Sequence, residues 1–304
     1  MLTFLTSPKP FRGHIGVIQH NAIQSWKLVH PGAEVILFGD AEGAEEAARE
    51  LGVRHVPQVK GNELGTPYLA SILDGGRELT SNALLCYVNC DIILLPDFRA
   101  ALEQLAVLNT SFLMAGQRWD TDVTEPVDFS RPDWQAALRQ RALTANRRRA
   151  PRWIDYFVFS RDLFAQNTPP LVIGRAGFDN WMMWYARSAG ARVINASQVV
   201  VAIHQNHDYS HHPEGEKGIY HGGEALQNFA IMKGGRYATL ENATDRLTPL
   251  GLQPNYYHWV VQAKRKTLAL GSAAWFALLG LTRPLRHKLG LRQDVVPKVQ
   301  PEKK

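Results

Sequence analysis

Apolar positions in the first half of the chain fall into two alternating rhythms. Short runs rich in Leu, Val, Ile and Phe at 2–6, 34–38, 54–59, 84–95 and 111–115 read as strands. Between them, stretches with apolar residues every three or four positions, at 14–28, 42–51, 67–74 and 97–108, read as helices, with Asp97 placed to cap the last. Strand and helix alternating over short connections predict an α/β fold, a mostly parallel sheet with helices on both faces. The middle is less regular. An acidic stretch at 120–131 reads as loop and 132–147 as a helix, and the Ile-Asp-Tyr-Phe-Val-Phe-Ser run at 154–160 reads as a strand. A helix at 181–188 and a strand at 192–203 follow, then a histidine-rich segment and a helical, basic end.

The run at 84–95 carries the strongest chemical signal. It is apolar enough to be buried, yet holds Asn89 and Asp91 two positions apart. As one continuous strand it would point both side chains to the same face. A lone buried carboxylate is costly unless it is paired or binds a cation. The end of a strand in an open α/β sheet is also where ligand-binding groups gather. A divalent cation between Asp91 and a diphosphate, Mg²⁺ or Mn²⁺, satisfies both conditions; the plain alternative is an Asp that caps a turn. Thr6 and Asp40 end the first two strands on the same crevice, where they suit a base or ribose, or serve as turn and capping residues.

Two later segments add candidates. A glycine-rich loop, Gly174-Arg-Ala-Gly177, leads through Asp179 into a helix. A carboxylate there suits a helix cap, a general base for an acceptor hydroxyl, or both. Trp181 and Trp184 on one face of that helix read as core. Further on, His204, His207, His211 and His212 lie within nine residues beside Asp208. One of these imidazoles can complete the shell that Asp91 begins; a self-contained zinc site lacks a standard spacing.

Composition narrows the partners. The 304 residues carry a formal charge of +6. The segment 264–304 holds ten Lys and Arg against Asp294 and Glu302, so the remainder is near −2, which speaks against a nucleic-acid-binding core. Within that tail, the apolar stretch 268–281 spans about 21 Å as a helix, short of a bilayer. With basic flanks it suits an anionic membrane surface, or equally a helix packed on the protein's own core. Cys86 and Cys90, ~13 Å apart in an extended strand, are too distant for a disulfide. Two free thiols and the absence of a signal peptide pattern lead to an expected cytoplasmic location, peripheral at the inner membrane face if the tail helix binds lipid and not the core.

Taken together, these residues resemble the nucleotide-diphospho-sugar glycosyltransferases of the GT-A fold, family 2-like, over roughly residues 1–212. Asn89-Cys-Asp91 stands in the place of the family's Asp-x-Asp, and Gly177-Phe-Asp179-Asn-Trp181 in that of its acidic acceptor-side motif. The resemblance implies a Rossmann-related catalytic domain at 1–220, its donor half at about 1–115 and its acceptor half at 116–220, with a C-terminal extension at 221–304. It also implies a UDP- or GDP-sugar donor, a carbohydrate or lipid-linked acceptor, and Mn²⁺ or Mg²⁺. Asp91 and His204 or His207 would be metal ligands, Asn89 a donor contact, and Asp179 the base if the enzyme inverts the anomeric centre. The first acidic position of the motif is Asn here. The alternatives are a sugar-nucleotide nucleotidyltransferase, which would want a glycine-rich basic loop where Pro8-Lys-Pro-Phe-Arg-Gly13 stands, and a non-catalytic nucleotide-sugar-binding protein at the membrane.

Overall fold

The computed structural model describes residues 1–256 except 167 and 209–212, so the segment 268–281, His211 and His212 lie outside the described residues. Met1–Asn255 form one compact unit. Its centre is β1 (Leu2–Thr6), buried along its whole length between β2 (Glu34–Phe38) and β4 (Leu84–Val88), with β3 (Arg54–Val56) outside β2. All of these pairings are parallel. A strand covered on both faces reads as a continuous apolar run, which is why Leu-Thr-Phe-Leu-Thr shows no polar side. Alternation along the strands feeds two cores. Leu2, Phe4, Cys86, Val88, Tyr156 and Val158 point to one, and Leu5, Leu85, Tyr87, Phe157 and Phe159 to the other. In the first core Trp26 of α1 (Gly13–Val29) stacks on Phe4 at 5.5 Å, and its indole N–H donates to the Ile92 carbonyl at 2.8 Å.

Helices α2 (Ala44–Leu51) and α3 (Leu69–Leu79) connect the first strands, and α4 (Pro96–Leu105) follows β5 (Ile92–Ile93). The expected cap Asp97 sits inside the first turn of α4 instead, after Pro96. Its carboxylate accepts from the Val201 N–H at 3.1 Å and from Arg139. Beyond α4 come β6 (Phe112–Thr121), α5 (Trp134–Ala145), β7 (Ile154–Ser160), α6 (Phe178–Ser188), β8 (Arg192–Asn195) and β9 (Ala202–Gln205). The sheet is mixed: β7 runs antiparallel between β4 and β6, and β6 and β8 are again parallel to β4. After α7 (Gly215–His221) and α8 (Gly223–Ile231), strands β10 (Asp245–Thr248) and β11 (Gly251–Pro254) extend the sheet past β8.

Three sequence expectations change in ways that build the site. The run 84–95 is not one strand, because the chain turns at Asn89–Asp91, where the Ile92 N–H donates to the Asn89 carbonyl at 3.1 Å. Asn89 and Asp91 therefore do not share a strand face. The run 192–203 likewise divides into β8 and β9. The third change is in β6, which has twice the expected length and shifts register between Ala115 and Gln117. Gly116 is required at that bulge, since a Cβ there would lie 2.3 Å from the Tyr156 hydroxyl. Below the bulge β6 pairs with β7 and β8; above it, residues 118–121 leave the main sheet and pair with β9, which in turn pairs with β5. Among the described residues no helix is long and apolar enough to cross a membrane.

Candidate active site

A cavity of about 560 Å³ opens where β1 and β4 end and β7 begins. Its walls come from the Ser7–Pro10 loop, the Asn89–Asp91 turn, the start of β7, the Gly174–Asp179 loop and the histidine segment. The small β5–β9–β6 sheet sets the chemistry at its floor. Its register places His204 opposite both Ile92 and Asp120, so His204 meets Asp120 on one side and Asp91, one residue before β5, on the other. The Gln205 N–H donates to the Asp91 carbonyl at 3.1 Å and fixes that approach.

Asp91 Oδ2 lies 3.1 Å from His207 Nε2 and 4.0 Å from His204 Nε2. One donor atom from each of Asp91, His204 and His207 falls within 4.8 Å of the others. That is close to what a single ion with bonds of ~2.1 Å spans. Asp91 Oδ1 is buried and has no hydrogen-bond partner among the described residues, as expected of a carboxylate that binds a ligand. One carboxylate with two imidazoles is a donor set suited to a first-row divalent ion. Although burial opposes its charge, Lys9 and the two imidazoles hold the Asp91 pKa well below the usual range, so the carboxylate is ionised.

Behind His204 lies a buried ionic network that the sequence reading missed. Arg118 donates through Nε to Asp120 Oδ1 at 3.0 Å and through Nη1 to both oxygens of Asp155 at 3.0 and 2.9 Å. Arg149 also donates to Asp120, at 2.5 Å. His204 Nδ1 lies 3.4 Å from Asp120 Oδ1. Burial raises the Asp120 pKa, but His204, Arg118 and Arg149 outweigh it and bring it to about 2. The overlooked signals were Asp155 at the second position of the apolar strand β7, and Arg118 and Asp120 at alternate positions of β6.

Asn89 turns into this network. Its Nδ2 donates to Asp155 Oδ1 at 2.7 Å and its N–H to the Asp155 carbonyl at 2.9 Å. An Asp at this position would face Asp155 with like charge, so Asn is the residue its neighbour requires. It still lines the cavity. Thr6 and Asp40 do not: Thr6 is wholly buried below the Ser7–Pro10 loop, and Asp40 is exposed elsewhere.

Asp179, in the first turn of α6, lines the same cavity. Gly177 (φ 109°) occupies the N-cap position and offers no side chain, so the backbone N–H groups at the helix start turn to the Asp179 carboxylate, and a capping role and a base role are compatible there. Burial raises its pKa; backbone N–H groups at the helix start counter this in part, and the charge on Asp155 adds to the rise, leaving it at about 7. Trp181 is core, stacked on Tyr185 at 4.9 Å. Beside Asp179, Arg175 lines the cavity and donates to the buried Glu224 at 2.7 Å.

No family model matches the chain, and no curated protein matches it. Among solved structures, glucosyl-3-phosphoglycerate synthase of Mycobacterium tuberculosis is similar at 16% identity, over 76% of this chain and 79% of that one, with a TM-score of 0.45. The same enzyme with Mg²⁺ and UDP is similar at 15% identity, over 84% and 90%, with a TM-score of 0.46. Its complex with Mn²⁺, UDP-glucose and phosphoglyceric acid is similar at 15% identity, over 76% and 78%, with a TM-score of 0.46.

Proposed function

We propose that this protein is a glycosyltransferase that moves a sugar from a nucleoside diphosphate donor to an acceptor hydroxyl, with a divalent cation held by Asp91, His204 and His207. One observation carries the reading: the three metal-type donors and Asp179, whose pKa is near neutral, line the same cavity. A cation at the triad would neutralise charge on the departing diphosphate. Two imidazoles beside one carboxylate favour Mn²⁺ over Mg²⁺, which prefers an all-oxygen shell. Asp179, ionised above about pH 7, takes the proton from the acceptor hydroxyl as it attacks the anomeric carbon, so the reaction inverts that centre.

The nucleotidyltransferase alternative fits less well. Its triphosphate needs a cradle of backbone N–H groups after β1, but Pro8 and Pro10 have none to give. Arg12 of the same loop is exposed and paired with Glu42. A screen of UDP- and GDP-sugars with Mn²⁺, scored by release of the nucleoside diphosphate, tests the proposal. Release that depends on metal and is lost in Asp91→Ala supports it. Binding of the donor without any turnover across the acceptors tried would leave a sugar-nucleotide-binding protein.

A further inference from the structure

Lys9 sits among the residues assigned to the cation. Its Nζ lies 3.1 Å from His207 Nε2 and 3.5 Å from Asp91 Oδ2, on the same two groups that face each other across the triad. The position is built rather than incidental. The buried side chain of Gln19 grips the Lys9 backbone from both sides, accepting from its N–H at 2.7 Å and donating to its carbonyl at 2.8 Å. Pro8 and Pro10 flank it and fix their own φ angles. The ammonium is thereby delivered to a buried carboxylate whose other oxygen has no partner among the described residues. A buried carboxylate without a counter-charge is costly, and a lysine ammonium is a compact point charge able to fill the position of a small cation.

We infer that Lys9 and the divalent cation compete for one place: the ammonium neutralises Asp91 while the site holds no metal, and it must leave for the metal to enter. This rests on the assignment of Asp91, His204 and His207 as a metal site. It predicts a sign opposite to that of ordinary site damage, because removing a residue from the site should tighten metal binding. Apparent affinity is reduced by the fraction of time the competent state is vacant of its rival, so an ammonium in place nine-tenths of the time weakens binding about tenfold. The tether matters as well. Its grip acts on the backbone, so a substitution of the side chain leaves the loop in place.

The test is Mn²⁺ affinity by calorimetry on the full chain with no nucleotide present, comparing wild type, Lys9→Met, Arg12→Gln and Asp91→Ala. The expected result is binding to wild type, binding about tenfold tighter or more in Lys9→Met, little change in Arg12→Gln, and none in Asp91→Ala. Arg12→Gln removes an equal charge from the same loop without touching Asp91 and so controls for the general field. Thermal unfolding gives a second readout. In EDTA, Lys9→Met should melt below wild type, because Asp91 has lost its counter-charge, and Mn²⁺ should raise its melting temperature by more. Unchanged or weaker binding in Lys9→Met, with Asp91→Ala still abolishing it, would overturn the competition and leave the metal site standing. Equal tightening in Arg12→Gln would overturn it too. Absence of Mn²⁺ binding in both wild type and Lys9→Met would remove the metal site itself, and this inference with it.

Discussion

Asp179→Asn separates two properties of this residue, a proton that binds too tightly and the proposed role of base at the cavity wall. The native carboxyl titrates at about 7 against an ordinary 3.8. Between those values the folded protein keeps a proton that the unfolded chain has released. Stability therefore falls as pH rises through that window and levels off above about 7. At 1.36 kcal/mol per pH unit the full difference is about 4 kcal/mol. The carboxylate is only partly buried, so water in the cavity reduces this to ~2 kcal/mol. Asparagine has nearly the same shape and never ionises. The variant should be more stable than wild type at pH 8 by roughly this amount, about 5 °C in melting temperature for a domain of this size. The advantage should vanish near pH 4. Turnover should fall by ~10²-fold or more, since the amide cannot accept the proton, while wild-type kcat/KM climbs with pH up to about 7. Calorimetric melting from pH 4 to 8, paired with a pH–rate profile, reads both. Identical pH dependence of stability in the two proteins would refute the raised pKa, and near-normal turnover in the variant would refute the base.

Three further substitutions probe the surrounding framework. Asn89→Asp restores an acidic first position but sets it against Asp155 at 2.7 Å. It should cost ~1–3 kcal/mol at pH 8, in part recovered at pH 5 as one carboxyl protonates, and urea titrations at the two pH values will show whether it does. Asp120→Asn removes the charge behind His204 and should weaken Mn²⁺ affinity ~10-fold in calorimetry; an unaltered affinity would show that this carboxylate only balances the two arginines. Gly116→Ala drives a Cβ toward the Tyr156 hydroxyl at the β6 bulge. A loss of ~1–3 kcal/mol in chemical denaturation is expected, and a neutral result would mean the bulge is not the fixed point that aims Asp120.

Periodicity reveals the central strands because their burial is written into consecutive residues: 2–6, 34–38 and 154–160 coincide with β1, β2 and β7. It fails at 84–95 and 192–203 for a common reason. Buried turns and buried strands are equally apolar, so Cys90 and Val199–Val201 look like strand while the chain is changing direction. The direction of β7 is a matter of long-range pairing, which alternation of side chains does not record. The acidic candidates Asp91 and Asp179 stood out because each interrupts an apolar or glycine-rich context. The inference from a shared strand face, however, was mistaken: Asn89 and Asp91 flank a turn and serve different partners. Arg118, Asp120 and Asp155 escaped notice because their charges cancel only in three dimensions, and Lys9 because its meaning depends on the buried Gln19 clamp.

The central claim is that Asp91, His204 and His207 form one divalent cation site beside a sugar-nucleotide cavity. Calorimetric titration of Mn²⁺ into wild type, Asp91→Ala and His204→Ala, followed by UDP or GDP on each metal-loaded protein, tests it most directly. The account predicts one Mn²⁺ per chain for wild type, loss of that binding in both variants with the fold intact by circular dichroism, and nucleoside diphosphate binding that requires the metal. Equal Mn²⁺ and nucleotide affinities in all three proteins would contradict it.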